Sequence, residues 1–240
     1  MLTIFRKELN SFLNSLVAYI VIGVFLVLAG LFTWVFEGNV LDYGYADLTS
    51  FFQLAPYIFI FLIPAITMRL FSEEFKSGTI ELLFTKPLTD WQIIMGKFLA
   101  SFILIVIALL PTLLYYYSVS ELGNPKSNID TSAVIGSYIG LFFLGGVFAS
   151  IGLWASSLTD NQVVAFIIGA VCCFLFYDGI HQLAQLFSGS TQYMIDYVGL
   201  SFHYDSISRG LVDSRTLIYF VGVIFLMLYL TKIQVSGKKS

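Results

Sequence analysis

The chain has 240 residues, 58% of them apolar and 11% charged, at a mean hydropathy of +0.87, whereas an ordinary soluble domain carries about 25% charged residues. Its 12 Lys and Arg and 15 Asp and Glu, clustered between long neutral runs, are too few to cover a water-facing surface, which excludes a soluble enzyme and a disordered chain. A net charge of −3 leaves no basic stripe for nucleic acid, and two adjacent cysteines, Cys172 and Cys173, in an apolar run exclude a disulfide scaffold.

A bilayer core of ~30 Å takes about 20 apolar residues of helix, so the runs free of Asp, Glu, Lys and Arg mark the candidate spans. They are 9–36, 48–68, 98–120, 131–159, 161–177 and 216–231. The fold class expected is therefore all-α: one polytopic membrane domain over residues 1–240 with six transmembrane helices. The last two runs, 17 and 16 residues long, are at the short end of the range.

In chain order, residues 1–15 read as an amphipathic interfacial helix. Arg6, Lys7, Glu8, Asn10 and Asn14 interleave with apolar positions there before the chain turns uniformly apolar at Leu16. The first span that follows is about twice as long as the 7–15 residue core of a signal peptide and has no clean A-x-A site, so a cleaved leader is not expected. Pro56 and Pro64 in the second span and Pro111 in the third predict kinks. Tyr115, Tyr116 and Tyr117 read as an aromatic belt at the headgroups. Gly136 and Gly140, then Gly145 with Ala149 and Gly146 with Ser150, give small residues at four-residue spacing for close helix packing in the fourth span.

Orientation follows from the basic residues, which cytoplasmic loops retain. Alternate segments collect Arg6, Lys7, Arg69, Lys76, Lys86, Lys97, Lys232, Lys238 and Lys239 on one side and Lys126, Arg209 and Arg215 on the other. Both termini are expected in the cytoplasm, with outer loops at 37–47, 121–130 and 178–215. The last of these, with scattered aromatics, is expected to form short helices at the outer leaflet, protected over 179–195 and capping a cavity between subunits. The turn at 156–162 has no base and gives no vote.

The loop at 72–92 carries the most information. Gly78 breaks the helix before it, and Ile80, Leu83 and Phe84 at i, i+3 and i+4 give one face of a short helix with Glu81 near its positive end. Pro87 stops it. Thr89 and Gln92 have capping-box spacing, and Leu88 and Ile93 that of a hydrophobic staple, so the third span begins there. Two helical turns are unstable alone, so this apolar face must pack on its own bundle or on another protein.

The string E-E-F-K-S-G-T-I-E-L-L-F-T-K-P-L from Glu73, followed by Gly96 and Lys97, resembles the loop after the second span of ABC-2 type transporter permeases. There an E-x-x-x-G-T-x-E-x-L-x-x-x-P pattern forms the coupling helix seated on the ATP-binding subunit. Glu74, Gly78, Thr79, Glu81, Leu83 and Pro87 match it together. Within the family the chain is most similar to the gliding-motility permease type of Bacteroidota, the GldF type, and less so to the NosY type of copper-enzyme maturation. The resemblance implies a membrane subunit in the bacterial inner membrane, bound to a cytoplasmic ABC ATPase and to a second permease, identical or related. The residues implied at the ATPase contact are Glu73, Glu74, Gly78, Thr79, Ile80, Glu81, Leu83, Phe84 and Pro87. The permease–permease contact is implied at the first and fifth spans.

No catalytic residue or bound cofactor is expected in this chain. Gly96-Lys97 runs into Phe98 and Gly237-Lys238 into Lys239, so neither completes a phosphate-binding loop, and ATP with its Mg belongs on the partner. Glu73 and Glu74 are expected among solvated charges, with Arg69 and Glu73 paired at i, i+4. His181 and His203, near Asp178 and Asp205, lack the ligand set of a metal site and read as polar groups at the membrane surface. Asp178, at the outer end of the fifth span, reads as a solvated acid. An ion-coupled transporter needs charges at the midplane, which all six spans lack. A non-transporting scaffold whose loop docks another protein is the alternative that remains.

Overall fold

The computed structural model describes residues 1–43, 46–126, 128–211 and 213–238, with the Tyr43 side chain left aside. Parts of all three expected outer loops (44, 45, 127, 212), and Lys239 from the basic count, thus lie outside the described residues. The elements in order are α1 (Leu2–Leu13), α2 (Leu16–Trp34), α3 (Val40–Tyr43), α4 (Thr49–Thr67), α5 (Arg69–Lys76), α6 (Thr79–Phe84), α7 (Asp90–Leu109), α8 (Leu113–Leu122), α9 (Thr131–Leu158), α10 (Gln162–Phe174), α11 (Ile180–Ala184), α12 (Ser190–Asp196), α13 (Leu200–Ser208) and α14 (Ser214–Gly237). No strand occurs among the described residues. Six helical stretches are long and apolar enough to cross a bilayer: Leu16–Trp34, Thr49–Lys76, Asp90–Leu122, Thr131–Leu158, Gln162–Ala184 and Ser214–Gly237. The protein is a multi-pass membrane protein.

The fourth span, α9, is the hub. It packs against α4, α5, α7, α10, α13 and α14, and 72% of its most apolar window is buried, against 22% for the first span. Its small residues make this possible. A Cβ on Gly136 would lie 2.3 Å from the Ile207 carbonyl oxygen, and one on Gly152 would lie 2.0 Å from Thr67 Oγ1. Close packing inside the bundle is therefore what the glycine spacing serves.

The charge-free runs understate the last two spans. The fifth does not stop at Tyr177: a π-helical turn, Leu175–Gly179, carries Asp178 through the helix to Ala184. Gln182 Nε2 lies 3.5 Å from Asp178 Oδ2 in an exposed contact one turn along the helix. In the sixth, Arg215 and Lys232 lie inside the ends of α14, where long cationic side chains snorkel. A 3₁₀ turn at Leu110–Thr112 contains Pro111 and interrupts the third span.

At the end opposite the termini one expectation needs correction, while the segment after the fifth span forms the short helices expected, α11, α12 and α13. Tyr115 does not face the headgroups: its hydroxyl donates to the Leu26 carbonyl at 3.2 Å and its ring packs edge-on to Trp34 and Phe51. Only Tyr117 of the three is strongly exposed. In the segment after the fifth span, residues 182–194 are exposed apart from Ala184, and α12 buries nothing. The packed part is α13, with Leu200, His203, Tyr204 and Ile207 buried. Tyr204 donates its hydroxyl to the Phe52 carbonyl at 2.7 Å. His181 bonds Asp196 at 2.8 Å and pins α11 to α12. His203 holds the Tyr197 carbonyl at 2.9 Å and stacks on Tyr219, and its burial pushes the imidazole below its usual pKa.

Candidate coupling site

The site is built on the chain between the second and third spans. α4 does not end at the membrane surface but continues through Met68 into α5. Ser156 of α9 fills the irregularity there: its hydroxyl accepts from the backbone N–H groups of Phe71 (2.9 Å) and Ser72 (3.1 Å) and donates to the Met68 carbonyl (2.8 Å). Ser72 also donates to that carbonyl. One buried side chain thus satisfies backbone groups that the helix leaves open, as a buried break requires, and fixes α5 to the hub.

Gly78 ends α5 with φ 70° and ψ 2°, a left-handed conformation that a Cβ disfavours. The chain then reverses into α6 over the span expected, Thr79–Phe84. The side chains divide. Ile80 and Leu83 turn inward and join the core, Phe84 is half-buried against it, and Leu82 is 66% exposed beside exposed Glu81. The face read from the spacing therefore packs largely on its own bundle. Exposed side chains left for another protein include Leu82 and Glu81. Pro87 follows in an exposed turn, and the Thr89 hydroxyl accepts from the Gln92 N–H while the Gln92 side chain accepts from the Thr89 N–H, the capping box expected at the start of α7.

Glu73 and Glu74 part company. Glu73 is exposed, and Arg69 does not pair with it: the guanidinium instead donates to Ser15 Oγ at 3.0 Å and lies 4.4 Å from the centre of the Phe12 ring. The apolar and polar partners at the α1–α2 junction outcompete an exposed i, i+4 pair worth a few tenths of a kcal/mol. Glu74, expected in solvent, is buried. Its Oε2 is 2.9 Å from Lys97 Nζ and its Oε1 2.9 Å from Lys7 Nζ. Lys97, 0% exposed, also lies 2.9 Å from Glu8 Oε1 and donates to the Leu70 carbonyl at 2.6 Å. Two carboxylates and two ammonium groups thus form a neutral cluster joining α1, α5 and α7. Lys97 and Glu8 were missed as site residues because their meeting across 89 positions leaves no local pattern. The usable signal was Lys97 itself, a lone lysine at the head of a span.

Burial lowers the pKa of Lys7, but Glu74 and Glu8 outweigh it and the net shift is upward from 10.5. A raised ammonium pKa means that its contribution to stability is complete below about pH 10.5 and is lost as pH rises through the folded value.

α1 buries Ile4, Glu8 and Phe12, one face at four-residue spacing, and packs on α7. The far side of the site is closed by the end of α14. Ser236 Oγ donates to Asp90 Oδ2 at 2.8 Å, Phe225 stacks on Trp91 at 5.8 Å, and Lys238 Nζ lies 3.7 Å from the centre of the Phe75 ring. The loop is therefore held from both sides, with α6 as its outermost element. α6 is thereby tied to the ends of the second and third spans through α5 and the Thr89–Gln92 turn.

Residues 2–196 match the family model described as ABC-2 family transporter protein. No curated protein matches the chain.

Proposed function

The chain belongs to the ABC-2 transporter family, and we propose that it is the membrane subunit through which a partner ATPase drives export or work on an envelope complex. The observation that supports this best is α6, a two-turn helix rooted in the core through Ile80 and Leu83 that presents Leu82 and Glu81 outward. Leu82 and Glu81 are side chains of this helix that another protein could reach. The charge bias, eight basic residues at the described end that carries the termini against three at the other, supports a cytoplasmic α6, the side where ATP is found. The first, fifth and sixth spans are all sparsely buried and leave surface for lipid or for a second permease. The finer reading, a gliding-motility permease of the bacterial inner membrane, is supported by the likeness of the opening and the loop.

Purification of the chain from its own membranes is expected to bring down a subunit with a phosphate-binding loop whose ATP hydrolysis changes on reconstitution. Leu82→Asp should abolish that capture, because loss of an interface anchor costs ~2 kcal/mol or more and so weakens binding by more than about tenfold. Insertion and thermal stability should be unchanged, since Leu82 contributes little to the core. A wild-type chain that captures no ATPase, or captures it equally well as Leu82→Asp, would favour the scaffold reading instead.

A further inference from the structure

The ion cluster beneath α1 divides along the surface of that helix into two neutral halves. Lys7 and Glu8, 3.4 Å apart, belong to α1, while Lys97 and Glu74, 2.9 Å apart, belong to α7 and α5. If α1 lifted away, Lys97 would keep Glu74, the Leu70 carbonyl at 2.6 Å and the Phe71 ring at 5.1 Å, and Lys7 would keep Glu8. Neither side would be left with the odd charge that makes a broken buried ion pair costly. Water reaches the seam, since the Lys7 side chain is 58% exposed.

The rest of the grip on α1 is light. Besides Glu8, its buried side chains are Ile4 and Phe12. Ile4 sits on Gly96 of α7, where an added Cβ would lie 3.0 Å from Ile4 Cβ and 3.2 Å from the Met1 carbonyl oxygen. The Gly96-Lys97 pair, which completes no phosphate-binding loop, therefore serves α1: the glycine admits its backbone and the lysine holds its carboxylate. The other end of α1 has the form of a pivot. The chain turns extended at Ser15 (φ −95°, ψ 129°), whose hydroxyl accepts from the Val17 N–H at 3.3 Å and from Arg69 Nη1 at 3.0 Å. The start of α2 is thus capped, and fixed to the start of α5, without help from α1. A helix of 12 residues taken off its seat is marginal by itself.

We propose that α1 is a releasable strap, which docks across α5 and α7 and swings off them about Ser15 with Lys7 and Glu8 leaving as one neutral unit. Docked, it braces α5 through the 2.9 Å contact of Lys7 with Glu74. Released, it leaves α5 to Lys97 and the hub. The strap thereby sets how firmly the loop that carries α6 is held.

Hydrogen exchange of the full chain in lipid nanodiscs tests this, with wild type, Gly96→Ala, and the double variant Ile4→Cys/Gly96→Cys in oxidised and reduced form. Wild-type α1 is expected to exchange as one unit from Phe5 to Leu13 while α7 and α9 stay protected, a sub-global opening; a fraying chain end would instead give exchange graded toward Met1. The methyl of Gly96→Ala meets atoms of α1 alone. It should therefore speed α1 exchange about tenfold or more and α5 exchange with it, with α9 unchanged as the sign of an intact bundle. In the double variant the two Cβ atoms start 3.0 Å apart, near the ~3.5–4.5 Å of a disulfide. Oxidation should slow exchange of both α1 and α5 several-fold against the reduced form, and either cysteine alone, with Cys172 and Cys173 present, should show no such response. Exchange of α1 that is graded from Met1, or that occurs only together with α9, would overturn the strap. So would α5 exchange that is equal in the oxidised and reduced double variant, or failure of the disulfide to form.

Discussion

Lys97→Met is expected to be the most destabilising single substitution at the end of the molecule that carries α1, α5 and α6. The ammonium is fully buried with three oxygen partners, two of them carboxylates, at 2.6–2.9 Å. Methionine fills similar volume but leaves Glu8 and Glu74 facing each other with only Lys7 between them. Breaking a buried ion network by removing one partner costs about 3–5 kcal/mol, here because Lys7 can compensate only one of the two carboxylates left behind. The same change at Lys126, whose pair with Glu121 is exposed on both sides, should cost no more than ~1 kcal/mol. Thermal unfolding of the purified chain separates the two. Adding Glu74→Gln to Lys97→Met should recover part of the loss, since it removes the orphaned charge; a double variant less stable than Lys97→Met would show that the carboxylates do not depend on Lys97 for compensation.

Gly136→Ala is expected to detach α13 from the hub. The added methyl would sit 2.3 Å from the carbonyl oxygen of Ile207 and 3.1 Å from Gly210 Cα. These are backbone atoms, so no rotamer change relieves the clash and α13 must move. Separation also stretches the 3.2 Å hydrogen bond from Ser137 Oγ to the Ser208 carbonyl and disturbs Tyr204, which packs against Gly140. Overpacking of this kind costs about 1–3 kcal/mol, and the rigid contact places it at the upper end. Gly146→Ala meets the tip of Ile224 at 3.0 Å, which can rotate away, so its effect should be smaller. Gly222→Ala has nothing within 4 Å and should be neutral or stabilising by up to ~1 kcal/mol through helix propensity. That order in melting temperature, Gly222→Ala above Gly146→Ala above Gly136→Ala, is the check; equal values would mean that α13 does not depend on this close approach.

What was legible in the sequence was whatever is encoded locally. The charge-free runs located all six spans because lipid admits few charges, and Gly78, Pro87 and the Thr89–Gln92 box bounded α6 and α7 because caps and breakers act on their own backbone. The length of the fifth span was not legible, since Asp178 is accommodated inside a π-helical turn and a charge there does not end the helix. The direction of α6 was not legible either. Spacing at i, i+3 and i+4 shows that Ile80, Leu83 and Phe84 share a face, but not which way that face turns, which depends on how α5 is held against α9. The ion cluster likewise depends on segments that meet only in three dimensions. Glu74 looked like one charge among several in a hydrophilic loop, and it becomes buried only because Lys97 and Lys7 are brought to it.

The central claim, that α6 delivers ATPase motion to the membrane domain, is tested most directly by cross-linking from position 82 in intact cells. A photoreactive amino acid in place of Leu82 is predicted to give one major adduct, joining this chain to a subunit that contains a phosphate-binding loop, while the same group at Ile80, turned into the core, gives none. An adduct from position 82 confined to this chain, or to proteins without an ATP site, would contradict the account.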